Sequence, residues 1–426
     1  MARGKIDRTP VLYNPALEVM TPEDRRQFVR DRLQETLQHA ANHSRHLPMR
    51  LEAAGLRLEQ LAEPDDLFRL PPLRKKDLPS LQVQTAPFGG LLAVPVHTLQ
   101  RVFVSPGPIY DPEGPGPDFW RMARAVYAAG FRRGDIVLNT FAYHLTPAGS
   151  MCDEGMAAVG CVVVPMGGGN TETQVQMLRH MQATGYVGTP SFLHTILQKA
   201  EELGISPLRD LSLEVALVSG GMLPESLRTL MGQEYGISVT QAYASADLGL
   251  IAYECQERAG MHVSEDMVLQ IADPETGLPV GAGMAGEVVV TTFNRVYPLI
   301  RFGTGDTSVL DFAPCRCGRT TPRLTRILGR VDDVTKIRGM FVHPSQLDVV
   351  MSETPAIERY QLVVRRKGFE DDLTLRIETA SPPSGLVARV EGRLREAIKL
   401  RAQVEVVPSG TLSADGKKII DERTWE

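Results

Sequence analysis

Asp135-Ile136-Val137-Leu138-Asn139-Thr140 begins the series of segments that decides the fold. Six residues of mostly β-branched and apolar type, bounded by Gly134 and a polar stretch, fit a buried strand. The pattern repeats downstream with GCVVVPM at 160–166, TGYVGTP at 184–190 and LEVALVSG at 213–220. Helix-length stretches, TETQVQMLRHMQ at 171–182 and PSFLHTILQKAEELG at 190–204, lie between them. Short apolar strands alternating with helices predict a parallel sheet with crossover helices.

Working outward, Thr21-Pro22-Glu23-Asp24 is a helix-start signal, and Leu33, Leu37, Ala40 and Ala41 recur at helical spacing, giving a helical cap over about residues 15–65. The proline-rich run SPGPIYDPEGPGPDF at 105–119 reads as a loop. From about 250 to 330, strand-like pieces such as GEVVVTTF, interrupted by DPETGLPVGAGMAGE, predict a more irregular β subdomain. After Arg330 come strands QLVVRRK, DLTLRIE and QVEVV, and a helix with Leu386, Val390, Leu394 and Ile398 on one face. The expected organisation is therefore α/β, with a large domain over 1–330 and a small α+β domain over 331–426.

The chain has 426 residues, 43% hydrophobic and 23% charged, with a net charge of -5 and signs interspersed. That excludes the basic stripe needed along a nucleic-acid backbone. No apolar run reaches the ~20 residues of a membrane span, and the opening segment lacks a secretory signal's apolar core, so the expectation is a cytoplasmic protein without a membrane partner. Five cysteines, an odd number, argue against a disulfide framework.

Tyr297-Pro298-Leu299-Ile300-Arg301-Phe302-Gly303-Thr304-Gly305-Asp306, then Gly329-Arg330-Val331-Asp332-Asp333 and Arg338-Gly339-Met340-Phe341-Val342-His343-Pro344, resemble the adenylate-forming enzymes, most closely the phenylacetate-CoA ligase group. LPPLRKKDL, APFGGLLAVP, PMGGGNTETQVQML and GTLSADGKKIIDER extend the resemblance over nearly the whole chain. The resemblance implies an ATP-dependent ligase that activates a carboxylic acid, of aromatic, phenylacetate-like type, as acyl-AMP and passes it to coenzyme A. It implies Asp306 on the ribose hydroxyls with Arg330 beside it, and Lys417 as the lysine reaching the reacting phosphate and acyl oxygens. Lys418 adjoins it; Lys417 is preferred because it directly follows Gly416. Gln241, Ala242 and Tyr243 match the adenine-packing segment, Asp247 its magnesium-binding acid, and Gly220, Gly221 and Met222 the backbone along the adenine edge. Asp332 matches the hinge, and the acyl pocket falls on Phe141, Tyr143, His144, Gly168 and Gly169.

Relatives cradle phosphate with a Ser/Thr/Gly-rich loop ending in lysine, whereas this chain has Val104-Ser105-Pro106-Gly107-Pro108-Ile109-Tyr110-Asp111. Prolines remove amide donors, leaving Ser105, Gly107 and the Tyr110 phenol as nucleotide contacts, while Asp111 adds repulsion. Cys255, His262, Cys315 and Cys317 form the ligand set of a structural zinc site, with separately buried thiols as the alternative. The expected cofactors are thus ATP or AMP, magnesium, coenzyme A and zinc. Two other readings stay open: adenylation with a non-CoA acceptor, and a nucleotide-binding sensor or scaffold with a degenerate phosphate loop. Oligomeric state is not legible, though members of the group are often homodimers.

Overall fold

The structure is a computed structural model that describes residues 6–9, 12–331, 335–338, 340–342, 344–412 and 417–424. The expected hinge residue Asp332 lies outside them. The chain divides into two compact units, Met1–Leu223 with Arg228–Val331, and Pro224–Leu227 with Asp332–Glu426.

The larger unit is built on a nine-stranded sheet whose two halves differ in kind. Strands Val162–Pro165, Ile136–Asn139, Gly185–Gly188, Val215–Val218 and Ser238–Ser245 are parallel. Helices Ala148–Val159, Thr171–His180 and Pro190–Glu202 connect successive strands. Ile136–Asn139, Gly185–Gly188 and Val215–Val218 are buried at every position, as expected of strands covered on both faces. Beyond Ser238–Ser245 the sheet turns antiparallel through Gly249–Glu254, Met261–Val263, Arg323–Leu324 and Leu310–Asp311. A second sheet aligns Leu73–Arg74, Phe302–Ser308, Gly286–Thr292 and Met267–Ala272, with Gly329–Arg330 also paired to Phe302–Ser308.

The helical cap is Pro22–His43 and His46–Ala53; Thr21 caps the former through a bond from the Asp24 amide. Leu33, Leu37 and Ala40 pack with Leu47, Leu51, Leu67, Val268 and Ile300, tying the cap to the second sheet. The smaller unit has a four-stranded sheet, Gln403–Val407, Glu370–Glu378, Arg359–Lys367 and Ile419–Asp421, with helices Pro344–Ser352 and Leu386–Ile398. Leu386, Val390, Leu394 and Ile398 all enter its core.

One sequence expectation is corrected. The proline-rich run is not all loop: Ile109–Glu113 is a strand paired antiparallel to Arg101–Ser105, with Pro106, Gly107 and Pro108 as the turn. Pro112 is tolerated because this ribbon has only two strands, so a proline without an N–H can occupy its edge. Buried Gln82 also clamps the second strand, donating to the Tyr110 carbonyl and accepting from its amide, both at 2.8 Å.

Candidate active site

Asp306 sits on strand Phe302–Ser308, directly after Gly305, whose φ of +78° lies in the left-handed region that glycine enters without strain. Gly329–Arg330 pairs alongside and places the Arg330 side chain on the carboxylate. Arg330 Nη1 donates to Asp306 Oδ1 at 2.9 Å, and the Tyr243 hydroxyl donates to Oδ2 at 2.7 Å. Burial first, and then the Asp306 charge, holds the Tyr243 phenol well above its ordinary range, so it stays protonated and remains a donor. A carboxylate oxygen accepts about two bonds. With one partner on each oxygen among the described residues, Asp306 retains capacity for two further donors side by side, the arrangement presented by a ribose 2′,3′-diol.

The other nucleotide candidates lie at carboxyl ends of the parallel strands, where ligands collect in open α/β sheets. Ser219, Gly220, Gly221 and Met222 follow Val215–Val218, with Gly220 at φ +77°. Ala242 is buried, while the Gln241 side chain is turned away into a structural network. Gln241 Nε2 donates to Glu254 Oε1 at 2.8 Å, and Arg228 grips both oxygens of that acid at 2.9 and 2.8 Å. Sequence had not signalled Arg228 or Glu254.

Two neighbouring strand ends bring the acyl-pocket candidates together. Asn139 ends Ile136–Asn139; its Nδ2 donates to the Tyr143 hydroxyl at 2.7 Å and its Oδ1 accepts from the Phe141 amide at 3.2 Å. Its carbonyl accepts from the Gly167 amide at 3.1 Å, which seats the loop carrying Gly168 and Gly169 beside Phe141. Gln174 fastens that loop by donating to the Gly167 and Gly169 carbonyls at 2.9 and 2.8 Å. His144, Gly168 and Gly169 are exposed, and Phe141 and Tyr143 are half-buried.

The expected phosphate contacts look different in space. Ser105 is buried and its Oγ has no hydrogen-bond partner among the described residues; the Tyr110 amide is occupied by Gln82; Gly107 forms the hairpin turn. Asp247 is not an open carboxylate: its side chain is fully buried and Oδ2 is bonded to Lys75 Nζ at 2.5 Å. Asp247 Oδ1 has no hydrogen-bond partner among the described residues, and fully buried Asp111 faces Ser105 without a well-formed hydrogen bond on either oxygen. Burial and then Asp247 push the Asp111 carboxyl well above the usual carboxylate range, against a smaller pull from Lys75. Lys75 falls within the LPPLRKKDL segment, but nothing there announced its pairing with Asp247, 172 residues away.

In the smaller unit, Lys418 is committed to Asp348 through an ion pair at 2.6 Å and lies 5.7 Å from the centre of the Tyr360 ring. Lys417 is exposed, its carbonyl accepting from Gln361 Nε2 at 3.1 Å.

The four sulfur and imidazole candidates converge. Cys255 follows strand Gly249–Glu254, His262 lies in the adjacent Met261–Val263, and Cys315 and Cys317 lie in the loop before Arg323–Leu324. Their ligand atoms all lie within 4.8 Å of one another, with Cys255 Sγ to Cys315 Sγ at 3.7 Å and Cys317 Sγ to His262 Nε2 at 3.4 Å. Metal–sulfur bonds of about 2.3 Å and metal–nitrogen bonds of about 2.0 Å give tetrahedral edges of roughly 3.5–3.8 Å, so the set fits zinc. The Thr321 carbonyl, 3.3 Å from His262 Nδ1, orients the ring so that Nε2 faces the sulfurs. The Cys317 thiol is pulled well below its ordinary range, first by the hydrogen bond from Cys255, and the Cys255 thiol is pushed up, first by the same bond and then by burial.

The class of the chain is given by family matches in each of its two units, which mark an adenylate-forming enzyme. Residues 119–294 match the AMP-binding enzyme family and residues 339–423 the AMP-binding enzyme C-terminal domain. The phenylacetate-coenzyme A ligase of Thermus thermophilus is 34% identical over 87% of this chain and 85% of its own length. That of Pseudomonas putida is 30% identical over 96% of both. A solved 2-hydroxyisobutyryl-CoA ligase, in complex with 2-HIB-AMP and CoA, superposes with a TM-score of 0.88 at 25% identity, covering 98% of this chain and 95% of that one. The chain belongs to the phenylacetate-CoA ligase-like family of AMP-forming acid–thiol ligases.

Proposed function

We propose that this chain condenses an aromatic, phenylacetate-like acid with ATP to give acyl-AMP and pyrophosphate, then transfers the acyl group to the thiol of coenzyme A, releasing AMP. The observation that carries this is the Asp306 carboxylate, fixed by Tyr243 and Arg330 with an acceptor position open on each oxygen. The diol of the nucleotide occupies those positions, and the backbone of Gly220, Gly221 and Met222 lines the adenine edge. In the first step a carboxylate oxygen attacks the α-phosphorus and pyrophosphate leaves. Negative charge builds on the phosphoryl oxygens, and Lys417 supplies the ammonium that stabilises it. In the second step the CoA sulfur attacks the acyl carbon and AMP departs.

Phe141 and Tyr143, beside a side-chain-free Gly168-Gly169 wall, favour a flat ring over a branched aliphatic acid. Magnesium accompanies the triphosphate as its counter-charge. Asp247 Oδ1 is a hard oxygen donor of the right type, but its side chain is fully buried, so it would reach magnesium only once nucleotide binding has opened its surroundings. Zinc at Cys255, His262, Cys315 and Cys317 staples the antiparallel end of the nine-stranded sheet; four protein ligands leave no open position, so it takes no part in the reaction.

The test is to incubate the protein with magnesium ATP, CoA and phenylacetate, 4-hydroxybenzoate, 2-hydroxyisobutyrate or acetate, and to detect acyl-CoA by mass spectrometry. Thioester formation strongest with an aromatic acid supports the reading. A preference for 2-hydroxyisobutyrate refutes the aromatic assignment, and adenylate without thioester refutes CoA as acceptor.

A further inference from the structure

The hairpin that stands where relatives carry a lysine-terminated phosphate loop has no cation in its turn, Ser105 to Ile109, and brings in the buried carboxylate of Asp111 instead. A triphosphate still requires positive charge at that place. Lys75 lies there on two independent grounds. It directly follows Leu73–Arg74, which pairs parallel with Phe302 and Gly303 and so leads toward Thr304 on the strand that carries Asp306. Its ammonium is also held at 2.5 Å by Asp247, at the end of the segment whose Tyr243 bonds Asp306. Lys75 is thereby tied from both sides to the elements that fix the ribose carboxylate. The Lys75 side chain keeps 14% exposure where Asp247 keeps none, so Lys75 is the residue of this pair that meets solvent.

We propose that Lys75 is the phosphate-binding cation of this chain, its ammonium contacting the β and γ phosphates of ATP in place of the missing loop lysine, with Asp247 holding it in position. The inference rests on the ATP-dependent reading above. An ammonium is a compact charge with three rotatable donors, so a bond to Asp247 is compatible with further bonds to phosphate oxygens. Asp247 stops the long side chain from collapsing elsewhere, lowering the entropy lost when ATP arrives.

The test separates phosphates beyond the α position from the rest of the nucleotide. Magnesium ATP and AMP are titrated calorimetrically into the full chain, its Lys75→Met, Lys75→Gln and Lys75→Arg variants, and Lys75→Met combined with Asp111→Asn. Loss of charge-assisted bonds predicts ATP binding weakened about tenfold or more in the Met and Gln variants, AMP binding within about twofold, and substantial recovery with Arg. The combined variant removes the Asp111 carboxylate along with the lysine, so ATP binding should stay weak. Recovery of ATP affinity there shows that Lys75 only offsets Asp111, and overturns the proposal. Equal weakening of ATP and AMP, or unchanged ATP binding, does the same. Wild-type protein that binds AMP but not ATP sinks the inference while leaving nucleotide binding intact; wild type that binds neither sinks the functional reading and this proposal with it.

Discussion

Replacing Asp306 with asparagine changes the atoms on which the nucleotide assignment turns and little else in size. Asp306 accepts from Tyr243 at 2.7 Å and from Arg330 at 2.9 Å, leaving one acceptor position per oxygen for the ribose hydroxyls. Asparagine keeps one oxygen, turns the other position into a donor and removes the charge. One hydrogen bond to a charged group is worth about 1.5–3 kcal/mol, so AMP affinity should fall roughly 10–100-fold. Fold stability should change little. Asparagine keeps an oxygen to accept from Tyr243 or Arg330, so the mostly buried pair, at 12% and 17% exposure, loses its charge but not every hydrogen bond. Calorimetry with AMP and 2′,3′-dideoxy-AMP isolates the interaction as a double-mutant cycle. Wild type should lose affinity on removal of the diol, and Asp306→Asn should lose far less. An unchanged dideoxy penalty in the variant, or AMP binding within about twofold of wild type, would refute the placement of ribose on Asp306.

Other consequences follow from the same geometry. Purified protein should carry about one zinc per chain by elemental analysis; Cys315→Ser should lower both zinc content and Tm, whereas metal-free wild type of undiminished Tm would remove zinc's structural role. Arg228→Met leaves Glu254 buried and uncompensated and should cost about 3–5 kcal/mol in denaturant unfolding; a loss under about 1 kcal/mol would show that Glu254 finds another partner. Burial and the neighbouring Glu113 push the Glu154 carboxyl from 4.5 to about 7, even with Arg101 Nη2 at 2.8 Å. The folded state therefore favours protonated Glu154, and its contribution, present in full below about 4.5, is lost as pH rises through about 7. Glu154→Gln should flatten the decline of Tm across that window, and an unaltered pH profile would contradict the assignment.

The parallel half of the sheet was legible because each strand is short, apolar and separated by a helix-length segment, a pattern that local sequence carries completely. Leu386, Val390, Leu394 and Ile398 declared a buried helix face for the same reason. The strand Ile109–Glu113 was hidden because three prolines and Gly107 signal interruption within Ser105–Pro112, whereas its pairing depends on Arg101–Ser105 and on Gln82. Asp306, Arg330 and the Cys/His set could be named from residue type and motif, and the structure brings each set together in space. Lys75 sits in LPPLRKKDL, a segment that carries the resemblance, but its charged surroundings were hidden because Asp247 and Asp111 are distant along the chain and adjacent only after folding. The side-chain partners of Gln241 were hidden for a related reason. Its motif position points to the nucleotide, but its side chain is held by Glu254, which itself requires Arg228.

The central claim, that activation passes through an acyl-AMP, is tested most directly by oxygen transfer from the acid. Phenylacetate labelled with oxygen-18 in the carboxylate is turned over with ATP and CoA, and the released AMP is weighed by mass spectrometry. Attack of a carboxylate oxygen on the α-phosphorus leaves that oxygen on the phosphate, so AMP should gain one label, with Lys417→Ala slowing its appearance. Turnover that puts the label in pyrophosphate or orthophosphate, or leaves AMP unlabelled, would contradict the mechanism.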